Sequence, residues 1–190
     1  MLFTLQQTKD AINNFDHGTR ELFNITGTGI IFTSFPQGYL SITNGIFDQI
    51  AGTALLCLFV KAIIDKNTAI PYYLHPLLIG FAVFVIATGF SYNGMGSINP
   101  ARDFGPRLFL WVAGYSWKAI SFNDYKWFWI PIVGPLIGGI VGGYGYEIFI
   151  GRHQPEISPE LDPNKGQRTV GPDSHEGKRK QSFFSSFGPY

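Results

Sequence analysis

The sequence has little cysteine, little charge and little histidine, and each shortage excludes a class of protein. Cys57 is the single cysteine, so the chain has no internal disulfide and no cysteine-based metal cluster. Charged residues make up 14% of the 190 residues, against about 25% in an ordinary soluble domain. The four histidines are scattered, and no Ser/His/Asp set, carboxylate pair or phosphate-binding glycine loop accompanies them. We therefore expect no catalytic residues, no metal site, no cofactor and no enzymatic activity.

Basic runs are also scarce, and the one present lies near the end of the sequence. Lys178, Arg179 and Lys180 fall within residues 151–190, a polar segment rich in proline and glycine. Such a composition buries too little apolar surface to offset ordering, so we predict a disordered tail. The basic run fits a kinase site, anionic lipid or a solvated charge cluster. It does not indicate a nucleic-acid-binding protein.

What the chain does have is three long apolar runs, over residues 46–64, 74–92 and 127–150. Each is close to the ~20 residues with which a helix crosses a bilayer. The third run opens on Trp127, Phe128 and Trp129, which is typical of the aromatic belt at a membrane interface. It also carries glycines at a spacing of four, from which we predict a helix-packing face. These residues are Gly134, Gly138 and Gly142, with Gly139 and Gly143 on the same repeat.

Positive charge in the short loops predicts the orientation. Lys61 and Lys66 flank the first turn, and Arg152 and His153 follow the third run. With three spans these two regions lie on one side, which the positive-inside rule makes cytoplasmic. Residues 1–45 are then mostly extracellular, in agreement with a glycosylation sequon at Asn24. Within them, residues 1–12 are typical of the end of a preceding span.

The stretch NGMGSINPARDFGPRLF, residues 93–109, places polar residues between two apolar runs. Asn99 is a good N-cap and Pro100 suits a first helical turn, so we predict a half-helix over 99–112. The preceding residues 94–98 should be extended or turning, with their carbonyls lining a wet cavity. Arg102 adds positive charge at the helix start, an arrangement that passes neutral hydrogen-bonding solutes and opposes cations. The alternatives are an extracellular loop with a capped helix, or a re-entrant loop that only packs.

The run NPARDFGPR, residues 99–107, resembles the second NPA loop of the aquaporin superfamily, and specifically of the aquaglyceroporins. Asp103, Arg107 and the pair Pro131–Ile132 match the glycerol branch, and residues 32–41 and 44–56 match as well. The resemblance implies an all-α membrane protein with about three transmembrane helices and one re-entrant half-helix. It divides the chain into residues 1–45, the end of a preceding span and an extracellular loop; 46–150, the C-terminal half of the channel; and 151–190, the cytoplasmic tail.

Carried over by residue, the resemblance implies a solute pathway. The side-chain amide of Asn99 would donate to the solute, and Arg102 would form the narrow filter. The carbonyls that would accept from the solute are those of Gly96, Ser97 and Ile98. Many relatives carry an aromatic residue at the position of Gly96, so we expect a wider or looser filter here.

Two further residues take roles from the same resemblance. Ala87 stands where water-selective members carry a filter histidine, so a small side chain there would widen the pore for glycerol. Gln49 stands where some members carry a glutamate that braces the loop. The alternatives are that Ala87 only packs and that Gln49 only bonds a neighbouring helix.

The function implied is a passive channel for glycerol and water, with urea as a further candidate solute, in the plasma membrane. The family has two inverted repeats with two NPA loops, and this chain has one NPA. We therefore expect one half of the inverted-repeat bundle, the C-terminal half, which does not close a pore alone. The full-length protein is expected to be a homo-tetramer. The alternative is a truncated, non-conducting subunit that associates with full-length channels and alters their assembly or trafficking.

Overall fold

A computed structural model describes residues 2–23 and 27–154, and every regular element within these ranges is helical. The α-helices are α1 (Leu2–Asp16), α2 (Ile42–Ile64), α3 (His75–Gly89), α4 (Ser91–Gly94), α5 (Pro100–Leu110), α6 (Lys118–Ser121) and α7 (Ile130–Phe149). Three helical segments are long and apolar enough to cross a membrane: Ile42–Ile64, Tyr72–Gly89 and Ile130–His153. The sequon at Asn24 and most of the predicted tail lie outside the described residues.

Two of the three spans begin away from their predicted positions because local contacts set their ends. Helix α2 begins at Ile42, four residues before the predicted start, since the Ser41 hydroxyl caps it by accepting from the Asn44 N–H at 3.2 Å. Helix α7 begins at Ile130, three residues after its predicted start. The prediction of an interfacial belt is wrong for Trp127, which is fully buried and donates its indole N–H to the Ser34 carbonyl at 3.2 Å.

Helices α2 and α7 form the main packed pair, and glycines of α7 make their close approach feasible. A methyl group on Gly142 would lie 2.1 Å from the carbonyl oxygen of Ala54, and one on Gly138 would lie 2.5 Å from that of Ile50. Backbones this close leave no room for a side chain. The predicted packing face is therefore confirmed for the row containing Gly138 and Gly142. Gly143, from the second row, faces open space.

The outer faces of the spans are apolar and exposed. On α3, Phe84 is 68% exposed and Val85 63%, and on α7 Ile140 is 62% exposed. Apolar surface of this extent is what lipid covers in a membrane protein. At the far ends of α2 and α7, polar contacts replace the apolar ones: Lys61 lies 3.7 Å from Glu147. The C-terminal ends of α2 and α7 therefore lie side by side.

A polar cluster around Asp16 attaches the end of α1 to the rest of the fold. The Asp16 carboxylate binds Arg20 at 2.9 Å and accepts from the Thr28 hydroxyl at 3.0 Å, and Thr28 in turn bonds the Tyr115 hydroxyl at 2.6 Å. Burial of Asp16 opposes ionisation. Hydrogen bonds from the Gly18 N–H, Arg20 and Thr28 outweigh it and hold the pKa of Asp16 below its ordinary value.

Candidate functional site

The loop between α4 and α5 is a sequence of tight turns rather than an extended strand. Its backbone enters the left-handed region at Met95 (φ 57°), Gly96 (φ 56°) and Ile98 (φ 31°). A positive φ is costly for a β-branched residue such as Ile98, on the order of 1–3 kcal/mol. The run 94–98 is therefore turning, and its conformation must be held by its surroundings.

One face of helix α2 holds Ile98 in this conformation. The Gln49 side-chain oxygen accepts the Ile98 N–H at 2.8 Å, and the Thr53 hydroxyl donates to the Ile98 carbonyl at 3.3 Å. Between them, Gly52 leaves space for the Ile98 side chain, since a methyl group there would lie 2.9 Å from its Cγ2. Residues 49, 52 and 53 share a helix face because they are three and four positions apart. Gln49 thus bonds the loop itself.

Helix α3 closes the other side of the loop at Ala87. A methyl group on Gly96 would lie 2.4 Å from the Ala87 carbonyl oxygen, at a backbone φ that already favours glycine. The same carbonyl accepts the Ser91 hydroxyl at 2.5 Å. An aromatic side chain at position 96 would not fit this backbone. Gly96 is therefore in tight contact with α3, where the sequence suggested a looser filter.

Asn99 and Arg102 lie at the start of the half-helix α5, and both side chains are exposed. The Asn99 side-chain oxygen accepts from the N–H groups of Ala101 at 3.0 Å and Arg102 at 3.2 Å, so it caps the helix as predicted. With its oxygen so used, Asn99 has only its NH₂ group left to offer. Neither that NH₂ group nor the Arg102 guanidinium bonds any residue that the structure describes. Two unused donors therefore lie at the positive end of a helix dipole.

The three residues predicted to offer carbonyls, Gly96, Ser97 and Ile98, are all buried. The Ile98 carbonyl already accepts from Thr53, which leaves it one lone pair. The Ser97 hydroxyl is buried and has no hydrogen-bond partner among the described residues. Buried hydroxyls are normally bonded, so this one calls for a water or solute partner.

Asp103 and Arg107 are fully buried and form an internal ion pair below the loop. Arg107 Nε donates to Asp103 Oδ2 at 2.6 Å, and a second guanidinium nitrogen donates to the Ala119 carbonyl at 2.6 Å. Asp103 Oδ1 accepts the Ser34 N–H and the Thr33 hydroxyl, each at 2.9 Å. The pair therefore ties α5 to residues 33–34 and carries no exposed charge.

Sequence reasoning missed Thr33 and Ser34 as partners of this ion pair. The sequence does contain an indication of them: two adjacent hydroxyl residues stand between Phe32 and Phe35, in a segment that the resemblance covers. The remaining branch residues, Pro131 and Ile132, lie in the first turn of α7, where a missing proline N–H costs nothing. Within residues 2–23 and 27–154, no group of three or more His, Cys, Asp or Glu is placed to hold a metal ion.

Known proteins resemble this chain both in sequence and in fold. The "Major intrinsic protein" family model matches residues 18–146. Aquaporin-3 of Milnesium tardigradum is 42% identical over 145 residues, which cover 76% of this chain and 44% of the relative. Aquaporin-9 of Mus musculus is 35% identical over 85% of this chain and 55% of its own length, and Aquaporin-10 of Homo sapiens is 36% identical over 77% and 49%. The chain spans about half the length of the curated relatives it matches.

A solved structure supports the fold independently. The X-ray structure of the aquaglyceroporin from Plasmodium falciparum aligns with a TM-score of 0.61 at 22% identity, over 80% of this chain and 60% of that one. At this identity the agreement shows the fold alone. Since the family model covers more than half of the residues, the chain belongs to the major intrinsic protein family and is an integral membrane protein.

Proposed function

We propose that this chain provides one half of a passive transmembrane channel for glycerol, water and other small neutral solutes. The observation that carries the proposal is the state of Asn99 and Arg102. Their unused donors belong to residues three positions apart at the start of α5, and the buried hydroxyl of Ser97 lies two positions before Asn99. A solute with hydroxyl groups has both donors and acceptors, so it can bond these donors and the neighbouring carbonyls together, whereas a cation bonds only the carbonyls and an anion only the donors.

The chemistry follows from what each group has left to offer. The Asn99 NH₂ group donates to a solute oxygen, because its own oxygen is occupied by the helix cap. The carbonyls of Gly96, Ser97 and Ile98 accept solute hydroxyl protons. Arg102 donates as well, and its charge together with the helix dipole raises the potential against cations and protons.

Several residues support the glycerol branch as the finer assignment. Ala87 has a small side chain beside the loop, which leaves room for a solute larger than water. Asp103 and Arg107 have the identities that the glycerol branch carries, and the solved protein with the same fold is an aquaglyceroporin. Urea fits the same donors and acceptors. We propose this substrate range for the whole channel, together with a homo-tetrameric assembly in the plasma membrane.

The proposed topology places residues 151–190 in the cytoplasm and residues 1–45 mostly outside, with 46–150 as the channel half. The adjacent ends of α2 and α7 support it, since Lys61 meets Glu147 at the end where Lys66 and Arg152 also stand. Positive residues on one side are what the positive-inside rule requires of the cytoplasmic face.

Osmotic swelling of proteoliposomes tests the proposal directly. The chain is reconstituted alone, and water and glycerol permeability are measured for the wild type, for Arg102→Ala and for Arg152→Ala as a matched exposed cation away from the loop. Permeation above empty liposomes that is changed by Arg102→Ala and unchanged by Arg152→Ala would mean that half-chains pair into a working pore, and it would support the proposal. Proton leakage should rise only in Arg102→Ala. Equal behaviour of the two variants in a conducting preparation would refute the role given to Arg102.

A second candidate function is a non-conducting subunit that associates with full-length channels. The exposure of Asn99 and Arg102 favours it, because unpaired polar groups at membrane depth are costly unless protein covers them. Correctly inserted chain that shows no permeation, yet co-purifies with a full-length relative and changes its flux, would support this function over the first.

A further inference from the structure

Asp48 is a carboxylate inside the first span whose partners all belong to the loop or lead to it. It lies on α2, two turns from the helix start, within a segment that is long and apolar enough to cross a membrane. No Lys, Arg or His among the described residues pairs with it. Ionisable residues at such positions are rare and usually functional. The sequence assigns Asp48 no role, so its contacts must supply one.

The first contact fixes Asn93, which lies in the short helix α4 that leads into the loop. The Asn93 NH₂ group donates to Asp48 Oδ1 at 2.8 Å, while the Asn93 side-chain oxygen accepts the Tyr39 hydroxyl at 3.1 Å. The Asp48 carboxylate can only accept, so the Asn93 NH₂ group must face it, which leaves the Asn93 oxygen for the Tyr39 hydroxyl. The backbone carbonyl of Asn93 accepts from the Gln37 N–H at 3.1 Å as well. Asn93 is therefore held in one orientation before the chain turns at Met95.

The second contact fixes the end of the loop through Gln49. The Gln49 NH₂ group faces Asp48 Oδ2 at 3.5 Å, and its oxygen accepts the Ile98 N–H at 2.8 Å. Gln49 is fully buried. A buried amide has two orientations that exchange its oxygen and nitrogen, and only one of them accepts from Ile98. A carboxylate next to the nitrogen selects that orientation, because it accepts hydrogen bonds and cannot donate them.

We propose that Asp48 is a positioning residue for the solute pathway, which holds the loop directly at Asn93 and through the Gln49 amide at Ile98. Both ends of the strained segment then depend on one carboxylate. If Gln49 supported the loop alone, its orientation would not depend on Asp48. Here the Asp48 carboxylate sets the orientation of the Gln49 amide. The positioning itself rests on these contacts, and only its effect on permeation rests on the proposed function.

The test exchanges donor and acceptor between the two side chains. Asp48→Asn keeps the size of the side chain and turns one of its two acceptors into a donor, which then opposes the Gln49 NH₂ group. The double variant Asp48→Asn/Gln49→Glu restores an acceptor for the Ile98 N–H and for the new donor. Asp65→Asn is the matched control, because Asp65 caps the other end of α2 and accepts from Tyr146 at 2.7 Å.

The readout is hydrogen–deuterium exchange of the Ile98 amide in lipid nanodiscs, which needs no conduction. We expect exchange about tenfold faster in Asp48→Asn, since loss of one net hydrogen bond is worth about that factor. It should return to within about twofold of wild type in the double variant and be unchanged in Asp65→Asn. Exchange of α7 amides, which reports on folding, should be the same in all four proteins.

The outcomes separate the proposal from a merely structural role. Unchanged Ile98 exchange in Asp48→Asn refutes it, and so does faster exchange that the double variant fails to reverse. If Asp48→Asn also speeds the exchange of α7 amides, the variant Asn93→Ser tests the direct contact between Asp48 and Asn93. It removes the Asn93 amide and leaves α2 unchanged. Water and glycerol flux of the same proteins is measured in parallel. A protected Ile98 amide in wild-type protein that shows no flux would mean that the chain alone does not conduct, and it would leave the positioning by Asp48 established.

Discussion

Replacing Arg107 with methionine should be among the most destabilising single changes in this chain. The substitution leaves Asp103 fully buried without its cation, since Arg107 Nε donates to it at 2.6 Å. It also removes the donor to the Ala119 carbonyl at 2.6 Å. The Ser34 carbonyl loses its hydrogen bond from the Arg107 guanidinium but keeps the one from the indole N–H of Trp127 at 3.2 Å. Breaking a buried ion pair by removing one partner costs about 3–5 kcal/mol, and we expect a loss of that size.

Arg102 on the same half-helix provides the control. Arg102→Met makes the same chemical change at an exposed position without an ion pair to any described residue, so its cost should stay within about 0.5 kcal/mol. Adding Asp103→Asn to Arg107→Met removes the stranded charge. The two sites should then show a coupling energy of about 1–3 kcal/mol in a double-mutant cycle.

The assay is reversible unfolding in dodecyl maltoside micelles with rising SDS, followed by helical circular dichroism. It is run on the wild type, the two arginine variants, Asp103→Asn and the double variant. The reasoning is refuted if Arg107→Met costs under about 1 kcal/mol, or if it costs no more than Arg102→Met. Additive costs in the cycle would show that Asp103 and Arg107 act independently despite their contact.

Three further predictions concern close contacts and acid stability. Gly142→Ala should cost about 1–3 kcal/mol in the same assay, because its methyl group would meet a carbonyl of α2 at 2.1 Å, while Gly143→Ala on the open face should be neutral or stabilising. Gly96→Ala should cost a similar ~1–3 kcal/mol through its positive φ and the Ala87 carbonyl, and a neutral result would contradict the tight loop. Because folding holds the pKa of Asp16 below its ordinary value of 3.8, its contribution to stability is complete above that value and is lost as the pH falls through the lower, folded-state pKa. Unfolding measured against pH should show that acid loss in the wild type and not in Asp16→Asn.

Features set by neighbouring residues could be predicted from the sequence. Asn99 followed by Pro100 specifies a helix start with no help from the rest of the chain, and the structure begins α5 at Pro100. The glycines at a spacing of four specify a face on α7 in the same way. What they could not specify is which row of glycines meets α2, since that depends on the rotation of one helix against another.

Features that join distant segments could not be predicted in the same way. Asp103 and Arg107 are four residues apart, which suggests a pair, but the Ser34 N–H and the Thr33 hydroxyl that complete their site are 69 and 70 residues away from Asp103. Trp127 illustrates the same limit. Its place at the end of an apolar run is typical of an interfacial residue, and only the distant Ser34 carbonyl explains its burial. The strained φ of Ile98 likewise depends on α2, about fifty positions earlier.

The cap at the start of α5 has a consequence for which residues position 99 can tolerate. Aspartate caps helices as well as asparagine does, because capping uses only the side-chain oxygen. Folding by itself therefore leaves the two residues interchangeable at this position. The proposed transport would distinguish them, since aspartate would replace the free NH₂ donor with a negative charge that attracts cations. A library randomised at position 99 should return both residues when it is selected for folded protein, and asparagine alone when it is selected for glycerol uptake.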